Sequence, residues 1–203
     1  MKAGVLSDTD IKRELTSKRN HDEPGLDIRP YDPTNVQPAS YDLTLGTEWI
    51  VPKQKRTPGP VRHDEGLPDK DVYEIEADEF TITSMQNPEL GPYDSRPFVL
   101  GHIQETIDLP DYITAEVKGR SSIGRLGVIP HTAGWVDAGF TGEVVLEFTN
   151  FSPNPITLSA GMRVAQIVFS YTNESATEPY GTKPDSKYQG QTGVTGSRIE
   201  DDQ

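Results

Sequence analysis

The stretch Gly119-Arg120-Ser121-Ser122-Ile123-Gly124-Arg125-Leu126-Gly127 places two hydroxyls and two guanidiniums within a glycine-bounded segment. Serine hydroxyls and backbone amides at such a turn can cradle phosphate oxygens, and arginine pairs with them bidentately. Taken alone, the stretch also reads as a capped turn with solvated arginines. It is not a Walker loop, because no Gly-Lys-Ser/Thr closes it. A second candidate runs from His131 to Gly142 and leads into Glu143-Val144-Val145-Leu146-Glu147-Phe148-Thr149. Three glycines in nine residues suggest a loop fitted around something. Asp137, among small residues, can accept from a sugar hydroxyl. If the following strand alternates, Val145 and Glu147 share one face and Leu146 and Phe148 the other. A carboxylate with apolar neighbours suits general base and acid work, although an edge glutamate facing water is the commoner case. The four histidines show no metal-ligand spacing and read as surface or loop residues. Trp49 and Trp135 read as core or loop anchors.

These groups need a scaffold, and the chain reads as β. Tyr41 to Leu45 alternates and stops at Gly46. Val72 to Ile75, Phe80 to Ile82, Phe98 to Ile103, Tyr112 to Val117, Glu143 to Thr149, Ile156 to Leu158 and Val164 to Tyr171 are further runs with turn residues between them. Short, evenly spaced strands argue for a sandwich or barrel over βαβ units. One helix is expected near the start, capped by Ser7 or Asp8, with Ile11 and Leu15 on one face. Asn20 to Pro38 reads as an irregular, proline-punctuated connection, and Lys53 to Lys70 as an exposed polar excursion. Residues 1–172 form the expected β domain. Residues 173–203 carry almost no apolar side chains and read as a flexible segment. Within it, Tyr180 to Lys183 and Ser186-Lys187-Tyr188-Gln189-Gly190-Gln191 mix basic, aromatic and amide groups that can close over an anionic ligand.

Composition narrows the partners. The chain has 203 residues, 32 acidic against 19 basic, and a net charge of −13. A nucleic-acid polymer needs a basic face and is a poor partner, whereas a small phosphorylated ligand needs only a local basic pocket. The acid excess fits a halophilic cytoplasm, where salt screens self-repulsion. The absence of cysteine removes disulfides, thiol nucleophiles and thiolate metal sites. No apolar run reaches the roughly 18 residues of a membrane span, and the N-terminus has no apolar signal core, so a cytoplasmic, membrane-free protein is expected.

Five segments in order resemble the dCTP deaminase family of the dUTPase-like superfamily. They are Val36 to Gly46, Gly119 to Gly127, Thr132 to Gly142 with Val145-Leu146-Glu147, Gly161-Met162-Arg163-Val164-Ala165-Gln166, and Ser186 to Gln191. The resemblance implies an all-β, distorted jelly-roll or barrel fold with a short N-terminal helix, assembled as a homotrimer with sites between subunits. It implies dCTP as substrate, dTTP as a candidate feedback inhibitor, Mg²⁺ carried on the triphosphate, and no zinc. Glu147 would be the base that activates water, with Ser121 and Arg125 positioning it. Arg120, Ser121, Ser122, Ile123, Gly124 and Arg125 would line the triphosphate site. Asp137 would bind the deoxyribose, and Val145, Leu146 and Glu147 would read the base. Gln166, Tyr180, Lys187 and Gln191 would complete the contacts.

Single-activity members, which release dUTP, resemble Thr-Ala-His before the aspartate, and bifunctional, dUMP-forming members resemble Thr-Ala-Gly. This chain has Thr132-Ala133-Gly134. The small Gly134 leaves room for water near the α-phosphate, which favours release of dUMP, ammonia and diphosphate. The alternatives are a deaminase releasing dUTP, a plain dUTPase, and a non-enzymatic nucleotide-binding regulator. A plain dUTPase would not need Glu147, and its usual tyrosine after the aspartate is Phe140 here. Retention of Glu147, Ser121 and Arg125 together speaks against the regulator.

Overall fold

The computed structural model describes residues 4–21, 25–52, 72–86, 97–131 and 133–202. The excursion expected at 53–70 and Thr132 lie outside the described residues. Strand β1 (Gly4–Val5) leads into helix α1 (Asp8–His21). Ser7 starts the helix: its Oγ accepts from the Asp10 amide at 3.3 Å, and Asp10 Oδ2 accepts from the Ser7 amide at 3.1 Å. This reciprocal pair satisfies two amides that the first turn leaves open. Leu6, Ile11 and Leu15 are buried, so the helix docks by the face its sequence spacing indicates.

The connection after α1 is more ordered than its prolines suggest. It contains β2 (Asp27–Arg29) and β3 (Val36–Gln37). Leu26 and Ile28 are fully buried, and Asp27, Ile28 and Arg29 pair with Asp108, Ile107 and Thr106. A three-residue strand is too short to show alternation, and only its distant partner creates it. There follow β4 (Ser40–Pro52), β5 (Val72–Glu76), β6 (Glu79–Ile82), β7 (Phe98–Asp108) and β8 (Ile113–Gly119). After these come α2 (Ser121–Gly124), β9 (Val128–His131), β10 (Trp135–Val136), β11 (Thr141–Asn150), β12 (Ile156–Ser159) and β13 (Arg163–Tyr171). Among the described residues the main sheet runs β10-β8-β13-β4-β7-β11-β9, with β1, β2, β3 and β5 added at its sides, and β12 pairs β6 separately. Every pairing is antiparallel. No helix among them is long and apolar enough to cross a membrane.

Strand β4 makes the sheet curl. Its first half pairs β13, its second half pairs β5 and β7, and the register shifts between Leu45 and Trp49. The expected stop at Gly46 is instead this bend. A Cβ on Gly46 would lie 2.1 Å from His102 Nε2, so only glycine lets the strand cross the imidazole ring. Trp49 packs in the core behind the bend, stacked on Phe80 at 4.6 Å and tilted against Phe148 at 5.7 Å.

His102 is not a surface histidine. It is buried on β7, and its Nδ1 pairs with Glu143 Oε2 at 2.8 Å. Three positions further along the strand, Glu105 is also buried and accepts from the Thr44 amide and hydroxyl. Burial pushes the Glu105 carboxyl above its ordinary value of 4.5, and the Thr44 hydrogen bonds only partly oppose this. A raised acid favours the protonated folded state, so its contribution is complete at low pH and is lost as pH rises from the unfolded value through the folded one. Glu105→Gln, which cannot ionise, is therefore expected to gain thermal stability over the parent as pH rises from about 4 to 7. A melting-temperature difference that stays constant across that range would show that burial of charge is not the cause.

Candidate active site

Strand β11 carries the central carboxylate. Leu146 and Phe148 are fully buried, whereas Val145, Glu147 and Thr149 are half-buried on the opposite face, as alternation requires. Glu147 lies opposite Leu100 of β7 and His131 of β9. The register shifts between Glu143 and Val145, so consecutive Val144 and Val145 both reach the same cavity.

That cavity has a volume of about 520 Å³ and is lined by Phe98, Leu100, Ala133, Gly134, Trp135, Val136, Asp137, Phe140, Val144, Val145, Glu147, Tyr180, Tyr188, Gln191, Thr195, Gly196 and Ser197. Its size is ordinary for a small-ligand site, and a few polar groups converge on mostly apolar walls. Asp137 is exposed at the mouth, and its Oδ1 accepts from the Trp135 indole at 2.9 Å. Trp135, 62% exposed, is thus neither a core residue nor a simple loop anchor. It fixes the carboxylate at the rim, a role that nothing in its sequence neighbours signals.

The C-terminal segment forms the far wall and is docked on the β domain. Gly190 donates to Thr141 O at 2.7 Å, Glu143 donates to Gln191 O at 3.0 Å, and the Gln191 amide returns a bond to Glu143 O at 2.6 Å. Gly193 N donates to Glu143 Oε2 at 2.7 Å, so the carboxylate that holds His102 also holds the segment. Tyr180 packs on Phe140 at 5.9 Å. Hydrogen bonds from backbone and side-chain amides thus do what the missing apolar side chains cannot. Gly193 has a φ of +65°, and a Cβ there would meet Glu48 Oε2 at 2.2 Å. Gly193→Val is expected to loosen the segment and speed tryptic cleavage after Lys187 by about tenfold, since left-handed backbone costs a β-branched residue of order 1–3 kcal/mol. The melting temperature of the β domain should stay close to the parent's. Unchanged cleavage would show that this glycine does not hold the segment.

The structure divides the residues singled out in the sequence. Ala133, Gly134, Asp137, Val145, Glu147, Tyr180 and Gln191 meet at the cavity. Arg120, Ser121, Ser122, Gly124, Arg125, Gln166 and Lys187 do not line it. Ile123 and Leu146 turn their side chains into the core, 3% and 0% exposed, and so belong to the scaffold of the two regions. Ser121, Ser122, Gly124 and Arg125 are exposed on and beside α2, while Gln166 of β13 donates to Gly119 O at 3.3 Å and so braces the end of β8 beneath it. Arg120 pairs through Nε with buried Asp42 at 3.1 Å. The chain therefore presents two separate surfaces, one carboxylate-bearing and apolar, the other cationic and rich in hydroxyls. Among the described residues no three His, Asp or Glu gather into a metal-sized cluster.

Residues 5–172 match the family model described as dCTP deaminase-like. The chain belongs to this family. A dCTP deaminase of Natronomonas pharaonis is 40% identical over 98% of this chain and 96% of its own length. A dUMP-forming dCTP deaminase of Persephonella marina is 39% identical over 96% of this chain and 97% of its own length. Among solved structures, the 2′-deoxycytidine 5′-triphosphate deaminase of Agrobacterium tumefaciens superposes with a TM-score of 0.61 at 24% identity, covering 88% of this chain. This chain spans about half the length of that one, and the likeness there is one of fold. The β architecture with a single N-terminal helix expected from the sequence is the one observed.

Proposed function

We propose that this chain is a dCTP deaminase that releases dUMP, ammonia and diphosphate, and that it works as a homotrimer. The observation that carries this reading is the seating of Glu147, Asp137 and Gly134 around one nucleotide-sized cavity, in a chain about 40% identical to proteins bearing that name. Glu147 takes a proton from water, the hydroxide adds to C4 of cytosine, and the proton passes to the departing ammonia, leaving uracil. Asp137, held by the Trp135 indole, accepts from the sugar hydroxyl. A second water then opens the α–β phosphate bond, in the space that Gly134 leaves. Mg²⁺ carried by the triphosphate supplies charge neutralisation at the leaving phosphates.

The division into two surfaces supports assembly. A cavity without its own cationic turn accepts Ser121 and Arg125 from a neighbouring copy. An exposed apolar row adjoins it: Phe98 and Ile129, 38% and 40% exposed, flank Thr149 by register, on the face that carries Glu147. Leu126 and Phe151 are exposed beside it, 48% and 43%. A second copy would cover this surface.

Incubation with dCTP and Mg²⁺, followed by chromatography that separates dUTP from dUMP, tests the reading. Diphosphate should appear in step with ammonia, without build-up of free dUTP. Gly134→His, which fills the space beside the phosphates, should divert the product toward dUTP. Ammonia with stoichiometric dUTP and no diphosphate from the parent would make it a single-activity deaminase. Diphosphate from dUTP with no ammonia from dCTP would make it a dUTPase.

A further inference from the structure

Three segments far apart in sequence converge on one side chain. Asp42 on β4 is 2% exposed, and both its oxygens are engaged. Oδ1 meets Arg120 Nε at 3.1 Å. Oδ2 meets Arg163 Nη1 at 3.4 Å and accepts from Gln37 Nε2 at 3.2 Å. Arg120 Nη1 also donates to the Arg163 carbonyl at 3.1 Å, which ties the two arginines directly. Strand register explains the meeting: Asp42 lies opposite Gln166, and Gln166 opposite Lys118, which sits two residues before Arg120.

A carboxylate this deeply buried is costly, and an ion pair around it contributes little net stability compared with apolar packing. What the arrangement secures is geometry. One negative charge holds two positive ones, so the cluster keeps a net charge of +1 in a chain of −13. Both guanidiniums remain partly open, with side chains 27% and 40% exposed. The contacts above use Nε and one Nη of Arg120 and one Nη of Arg163, which leaves each a terminal nitrogen with donors suited to a phosphate oxygen. Ser121 follows Arg120 directly, so this pair lies at the entrance to the exposed hydroxyl turn.

We propose that Asp42 is a positioning residue that preorganises Arg120 and Arg163 as a two-arginine clamp for the nucleotide's phosphates, with Arg163 a further phosphate contact. The inference rests on reading this chain as a dCTP-binding enzyme. Binding energy from groups remote from the reacting carbon appears mainly in KM when it is made equally in ground and transition states.

The test compares the parent with Asp42→Asn and Arg163→Gln, measuring kcat and KM for dCTP and the affinity for deoxycytidine, which has no phosphate. Each variant is expected to raise KM for dCTP at least tenfold, to keep kcat within about threefold, and to bind deoxycytidine within about twofold of the parent. Arg163→Gln alters a half-exposed side chain and keeps the test valid if Asp42→Asn does not fold. Equal weakening of dCTP and deoxycytidine would assign these residues a structural role and overturn the proposal. So would a fall in kcat at unchanged KM, or an unchanged dCTP affinity in Arg163→Gln. A parent that neither binds nor turns over dCTP would overturn the underlying functional reading instead.

Discussion

Glu147→Gln is expected to lower dCTP deamination by about 10³-fold while leaving dCTP binding close to that of the parent. The amide keeps the volume and one acceptor oxygen of the carboxylate, so the cavity walls formed by Val145, Leu100 and Tyr180 need not move. It cannot take a proton from water, and no other carboxylate on β11 replaces it. Glu143, the nearest on the strand, is committed to His102 at 2.8 Å and to the Gly193 amide at 2.7 Å. Ammonia release under saturating dCTP measures the effect, and calorimetric titration of the inactive variant measures binding. Turnover within about tenfold of the parent would exclude Glu147 as the base. Loss of binding together with turnover would assign it to holding the base edge.

Two inactive variants are expected to restore activity to each other. Arg125→Ala removes a guanidinium from the exposed turn and Glu147→Gln removes the base, so each preparation alone should be nearly silent. If every site takes its carboxylate from one subunit and its cationic turn from the next, random exchange of subunits leaves about one site in four with both groups intact. Co-refolded or co-expressed mixtures should therefore recover roughly a quarter of parental ammonia release. A mixture as inactive as its components would place both groups in one subunit's site. The result separates a shared site from a self-contained one without any structure of the assembly. Its expected size is large because the background is close to zero.

Some of this protein was legible from residue order. The alternation around Leu146, Glu147 and Phe148 fixes which side chains enter the core, because a strand has a period of two and one face must leave water. Ser7 followed by Asp10, with Ile11 and Leu15 beyond, specifies a capped amphipathic helix through contacts no more than a few residues long. Motif order alone identified Asp137, Glu147, Tyr180 and Gln191, and all four line the cavity.

What the order could not carry is long-range. Strand β2 exists because Ile28 finds Ile107, and β4 continues through Gly46 because the His102 ring needs that space. His102 itself looked like a loop histidine, since nothing near it in sequence shows the Glu143 carboxylate that meets it from β11. The C-terminal segment lacks the apolar side chains that mark a packed element, yet it docks through the backbone amides of Gly190 and Gly193 and through the carbonyl and side-chain amide of Gln191, whose partners on β11 lie far away in sequence. Asp42 shows the same limit, because its two arginine partners lie 78 and 121 positions away and meet only when β4, β13 and β8 pair. Tertiary structure alone also decided that one recognisable motif set becomes two surfaces. Local sequence determines which groups are present and which way each strand faces, but pairing between distant strands determines which of them share a site.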